Sequence, residues 1–215
     1  MTSQIDETKI ANIIKKWLKT IHEIQGDSGR NCVQITRLTS IKSLCKDRRP
    51  AKHFALHIAK RVWESMESTP DDRFDETEWQ AHKAIVTQAI AQMEAAIEEV
   101  SPQHRDSMKA LREEIKIYQG NDYRRTEWAT VHFIRSGNLL KIDYALCCFI
   151  KQEYPYYTYQ LAREYAENYN PSYYGNGLNP NSVPMLLDIA EFWCQYYFSQ
   201  SLGDRFPKLV SDSPL

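Results

Sequence analysis

The stretch 76-ETEWQAHKAIVTQAIAQMEAAIEEV-100 carries the clearest periodicity in the chain. Trp79, Val86, Ile90, Met93, Ile97 and Val100 recur at intervals of 7, 4, 3, 4 and 3 residues, which lays them along one stripe of an α-helix. The seam is heptad-like but shorter than three heptads. It therefore suits an antiparallel helix pair within the chain and equally a homodimer through helix 76–99. Glu76 and Glu78 place negative charge at the positive pole of such a helix, and 68-STPDDRFDETE-78 reads as a polar loop leading into it.

Working outward, the same period recurs. Ile10, Ile13, Ile14, Trp17, Leu18, Ile21 and Ile24 predict a first helix between a capping Asp6 and a terminating Gly26. Further helices are expected over 33–47, 51–67 after Pro50, and from Pro102 to Gly120. A helix over 122–136 is expected to stop at Ser136-Gly137. After it come an apolar, central helix over 138–152, a tyrosine-rich helix over 155–169 and a last one over 183–200 capped by Ser182 or Asn181. Residues 207–215 read as frayed. No stretch alternates as a strand does. The expectation is an all-α fold, a single irregular bundle of about nine helices with no β-sheet. Residues 1–68 form a basic N-terminal layer of it and 69–215 an acidic-to-neutral bundle, together one continuous domain over 1–206.

Composition agrees. The chain has 215 residues, 42% hydrophobic and 26% charged, values of a globular protein with a real core. Seven glycines are too few for a turn-rich sheet protein. The five cysteines form no CxxC pair, and Cys147 and Cys148 lie in the most apolar stretch, so reduced, buried thiols are expected. The N-terminus MTSQIDETKI lacks an apolar signal core, and the longest apolar run, 144-YALCCFI-150, falls far short of the ~20 residues that span a bilayer. A cytoplasmic location is the corresponding expectation.

Recognised catalytic chemistry is missing. There is no GxGxxG, Walker A, HExxH or GxSxG motif. The string 71-DDRFD-75 formally matches an aspartate motif that holds Mg²⁺ against a diphosphate, but it stands alone in a loop. It supports only a second alternative, a small all-α enzyme with an acidic Mg-binding loop. His53 and His57 share a helix face beside Lys60 and Arg61, whose charge opposes a dication. Glu78 and His82 read as a helix-surface contact, and His132 as a structural histidine. No catalytic, metal or cofactor residue is assigned.

Charge is uneven. Residues 1–61 hold 13 Lys+Arg against 5 Asp+Glu, whereas residues 62–122 hold 6 against 14. The basic segment carries Arg37, Lys42, Lys46, Arg48, Arg49, Lys52, Lys60 and Arg61. These are candidates for an anionic partner: nucleic acid, an acidic protein or the chain's own acidic segment.

The stretch 154-YPYYTYQLAREYAENYNPSYYGNG-177 holds eight of the 13 tyrosines. On a helical wheel Tyr157, Leu161, Tyr165 and Tyr169 form an expected core stripe. Tyr156 and Tyr159 flank Arg163 on another face, a composition enriched at interface hot spots. Tyr173 and Tyr174 lie in a long loop. Tyr156, Tyr159, Arg163, Tyr173 and Tyr174 are thus the candidates for a protein interface. The leading expectation is a non-catalytic protein–protein interaction module (adaptor, assembly factor or regulator), and the alternative is a nucleic-acid-binding regulator using the helix pair at 37–61.

Overall fold

The computed structural model describes residues 6–26, 39–68, 76–122, 129–166 and 182–210. Among them there are ten helices and no strand. In chain order these are α1 (Glu7–Gly26), α2 (Thr39–Leu44), α3 (Ala51–Ser68), α4 (Glu76–Ala95), α5 (Pro102–Asp122), α6 (Ala129–Ile150), α7 (Pro155–Ala166), α8 (Val183–Phe198), α9 (Leu202–Arg205) and α10 (Pro207–Val210). The all-α expectation holds. The expected frayed tail instead contains α10, and only 39–44 is helical among the described residues of the stretch expected as helix 33–47.

The helices group into two compact units: Met1–Asp47 with Tyr165–Leu215, and Arg48–Glu164. Each is close to neutral, with 10 Lys+Arg and 10 Asp+Glu in the first and 17 and 18 in the second. The charge asymmetry along the chain is thus balanced inside each unit.

The first unit joins the two ends of the chain. Asp6 caps α1, its Oδ1 accepting from the Thr8 N–H at 3.0 Å. The apolar stripe Ile10, Ile14, Trp17, Leu18, Ile21 and Ile24 is buried, and α1 packs against α8 and α2. Polar links accompany the packing. Trp17 Nε1 donates to the Leu186 carbonyl at 3.0 Å, and His22 Nε2 meets the Leu209 carbonyl at 2.8 Å. Ser182 occupies the N-cap of α8 without a side-chain capping bond; the helix starts with Pro in its first turn instead.

The second unit is built around α6, which packs on α3, α4 and α5. Its residues Ala145 to Ile150 are all buried. The α3 face alternates small and large, with Ala51, Ala55 and Ala59 beside Phe54, Ile58 and Val62, so helices approach closely without voids. Ser136-Gly137 does not end a helix: α6 runs straight through it. A glycine in a helix costs only about 1 kcal/mol relative to alanine. Burial of the apolar segment that follows outweighs that.

The seam of α4 also differs from its expectation. The buried side chains are Trp79, His82, Ile85, Val86, Ala89 and Met93, while Ile90, Ile97 and Val100 are half-buried. The helix ends at Ala95, where the Ile97 N–H turns back to Glu94 O in a tighter i−3 bond. His82 is not on the helix surface. It lies on the core face, 2% exposed, its ring edge-on to Tyr118 at 5.0 Å. An imidazole has as much apolar ring as polar edge, and period alone cannot say which decides its side of the helix. Trp79, Val86 and Met93 of the expected seam are covered within the chain, where α4 packs on α3, α5 and α6.

Candidate functional site

The basic segment is divided. Its residues up to Asp47 belong to one unit and those from Arg48 to the other. Lys42, Lys46, Arg48 and Arg49 are exposed. Lys52 is half-buried and donates to the last carbonyls beyond α4, Ile97 O and, at 3.2 Å, Glu98 O, a favourable place for a cation. Lys60 pairs with Glu94 at 2.6 Å and Arg61 with Glu64 at 2.8 Å. Lys52, Lys60 and Arg61 are thus engaged within their own unit, two of them on α4 or the turn after it; Lys42 and Arg49 also have interaction partners. Arg37 lies outside the described residues, as do 71–75, Tyr169, Tyr173 and Tyr174.

The start of α7 is different. Tyr154 and Tyr156 are 56% and 59% exposed. Tyr156 meets Tyr157 edge-on at 5.5 Å, and Tyr159 and Arg163 are half-buried. The core face of α7 is Thr158, Leu161, Ala162 and Ala166 rather than a tyrosine stripe. Thr158 is buried because its hydroxyl shares a hydrogen bond with Cys148 Sγ at 3.3 Å. With Thr158 on the core face, Tyr157 sits at the rim, half-buried, and not in the core. Nearby on α6, burial and then the charge of Glu164 raise the Tyr144 pKa, with Arg163 opposing them. Burial lowers the pKa of Lys141, again with Glu164 opposing.

Tyr157 walls a cleft of about 440 Å³. From α5 come Arg105 and Lys109, from the end of α6 Ile150 and Lys151, and from the following turn Glu153 and Tyr154. Lys151 Nζ donates to the Tyr157 hydroxyl at 3.3 Å and lies 5.2 Å from its ring centroid, a cation–π arrangement. Arg105 Nη1 reaches the Ile150 carbonyl at 3.5 Å, a long contact with the C-terminal pole of α6. Lys109 meets Asp106 at 3.1 Å across an exposed pair. Deeper along α5, Arg112 grips Asp143 in fork geometry at 2.6 and 3.3 Å.

The sequence contained a signal for this cleft. Arg105, Lys109, Arg112 and Lys116 recur at 4, 3 and 4 residues, a cationic stripe on one face of α5. It is hidden when charge is summed over 62–122, where acids outnumber bases, and two acids of α5 itself, Asp106 and Glu113, pair with Lys109 and Lys116. The remaining chemistry is quiet. Among the described residues no group of three or more His, Cys, Asp or Glu is placed to hold a metal, and no helix is long and apolar enough to cross a membrane. Cys45, Cys147, Cys148 and Cys194 are free and buried. Desolvation raises the pKa of Cys147 to about 11, of Cys148 to about 12 and of Cys194 to about 11, the opposite of an activated thiol. No family model matches this chain, and no curated protein and no solved structure matches it.

Proposed function

We propose that this protein is a non-catalytic helical interaction module, an adaptor, assembly factor or regulator, that engages a protein partner through the start of α7. The observation that carries the reading is the pair Tyr154 and Tyr156. They are two of four large hydrophobic side chains exposed among the described residues, they lie two positions apart, and Tyr154 borders a cationic cleft. Aromatic rings beside Arg and Lys make the composition of interface hot spots. Tyr159 and Arg163 extend that surface along α7.

The test is capture of the partner from the native source by the wild-type chain, by Tyr154→Ala/Tyr156→Ala and by Ile117→Ala. Ile117 is the control because it is 66% exposed on α5. Loss in the tyrosine variant with retention in the isoleucine variant is expected. Equal capture by all three overturns the reading. The nucleic-acid alternative draws support from the exposure of Lys42, Lys46, Arg48 and Arg49, although Lys42 and Arg49, like Lys52, Lys60 and Arg61, also have interaction partners. It requires binding of DNA or RNA at ~50 mM salt that weakens steeply as salt rises.

A further inference from the structure

We propose that the cleft between α5, the end of α6 and α7 receives a phosphate monoester group on a side chain of the partner. This rests on the interaction-module reading and names the chemistry that its binding face selects.

Charge is the first argument. The cleft is lined by three cations, Arg105, Lys109 and Lys151, and one carboxylate, Glu153. Arg105 and Lys151 have no carboxylate partner among the described residues; their polar contacts are the Ile150 carbonyl and the Tyr157 hydroxyl. Lys109 shares its charge with Asp106, but in an exposed pair of little strength. The Arg112–Asp143 pair behind them is internally neutral. The lining therefore carries a formal surplus of two positive charges, which Asp106 reduces through its pair with Lys109. That favours a doubly charged phosphate over a singly charged carboxylate.

Geometry is the second argument. A guanidinium fork and two ammonium groups offer a dense set of N–H donors to the three free oxygens of a phosphate monoester. A volume of about 440 Å³ has room for a phosphorylated side chain. The walls are tyrosine rings with hydroxyls at their tips, so the stem of the incoming side chain meets apolar surface while its charge meets the cations. Tyr154, at the mouth, belongs both to this cleft and to the exposed tyrosine pair.

The experiment is a calorimetric or NMR titration of the full chain at ~50 mM salt. The probes are a phosphotyrosine tripeptide, a phosphoserine tripeptide, their unphosphorylated counterparts and inorganic phosphate. At least one phosphopeptide is expected to bind about tenfold or more tightly than its unphosphorylated counterpart, and more tightly than inorganic phosphate. Arg105→Gln and Lys151→Gln are each expected to weaken it about tenfold, the usual scale of one charge-assisted bond. Arg105 is exposed and Lys151 half-buried at the rim, so the melting temperature is expected to change little, and Glu153→Gln, which removes the opposing charge, is expected to tighten binding about two- to threefold. Affinity is expected to fall as pH drops through about 6, where the phosphate loses its second charge.

Equal binding of phosphorylated and unphosphorylated peptides overturns the proposal, as does wild-type affinity in both cation variants. Inorganic phosphate binding as tightly as the peptides also overturns it, since the site would then hold a free anion. The two readings fail separately. Phosphopeptide binding combined with partner capture indifferent to Tyr154 and Tyr156 removes the tyrosine face and keeps the cleft. Capture that depends on those tyrosines, with no phosphopeptide binding, removes the cleft and keeps the face.

Discussion

The Tyr197 hydroxyl donates to Asp47 Oδ2 at 2.7 Å, a bond between residues 150 apart in sequence. Asp47 is only 8% exposed. It closes the turn after α2, where its own N–H reaches Leu44 O at 3.1 Å. Tyr197→Phe deletes a single oxygen and withdraws a donor from a nearly buried carboxylate. The expected cost is about 1.5–3 kcal/mol, read as a lower urea midpoint at unchanged slope. A loss below about 0.5 kcal/mol would show that water replaces the hydroxyl.

Gly137 gives the opposite prediction. It lies inside α6 at a negative-φ position, and a Cβ built there meets nothing within 4 Å. Gly137→Ala removes backbone freedom from the unfolded chain without a clash in the folded one. It is expected to stabilise by about 0.4–1 kcal/mol, seen as a raised melting temperature.

The Arg112–Asp143 pair joins α5 to α6 below the proposed cleft, at 21% and 14% side-chain exposure. Burial opposes the Arg112 charge, and the hydrogen bond and field of Asp143 more than restore it. Asp143→Asn is expected to cost about 1–3 kcal/mol because it leaves a half-buried cation poorly matched. Arg112→Met should cost less after that change than before it, and a double-mutant cycle measures the difference.

The buried thiols predict an alkaline weakness. Folding raises the Cys148 pKa to about 12 and the Cys147 and Cys194 values to about 11, chiefly by desolvation, from an ordinary 9. Between pH 9 and the folded value the unfolded chain releases these protons while the folded chain keeps them. Stability is therefore intact below pH 9 and declines as pH rises through that window. Urea midpoints at pH 7.5 and 10 check the sign. Cys148→Ala, which removes one titrating group, should flatten the decline. At pH 8 the four buried thiols are expected to react with a disulfide reagent only as fast as the protein opens.

Much of this fold was legible because helices repeat. The α1 stripe from Ile10 to Ile24 is buried as its spacing requires, and the capping role of Asp6 is visible in one residue. What escaped were the places where burial by neighbours outweighs a local signal. Gly137 is read as a stop, yet Leu139, Ile142 and Ala145 onward are buried in the same helix. His82 is read as polar and lies in the core. Tyr157 is read as core and lies at a rim, because α7 turns Thr158, Leu161, Ala162 and Ala166 inward instead, and the Thr158 hydroxyl finds a partner in Cys148. The cleft needs three helices and a turn to exist at all. Only its α5 stripe could be read in advance, and the arrival of Lys151 and Tyr154 beside it is a tertiary fact.

The division of the chain also sets an order of events during synthesis. Residues 48–164 emerge as a contiguous block, complete with α6 and its neighbours, while α1 still lacks α8. The apolar stripe of α1, with Trp17 among it, must then wait through well over a hundred residues of translation. At roughly 5–20 residues per second that wait lasts on the order of 10 s. A nascent chain from which residues 48–164 have emerged but α8 has not therefore exposes the apolar stripe of α1, and that stripe is a natural target for a chaperone.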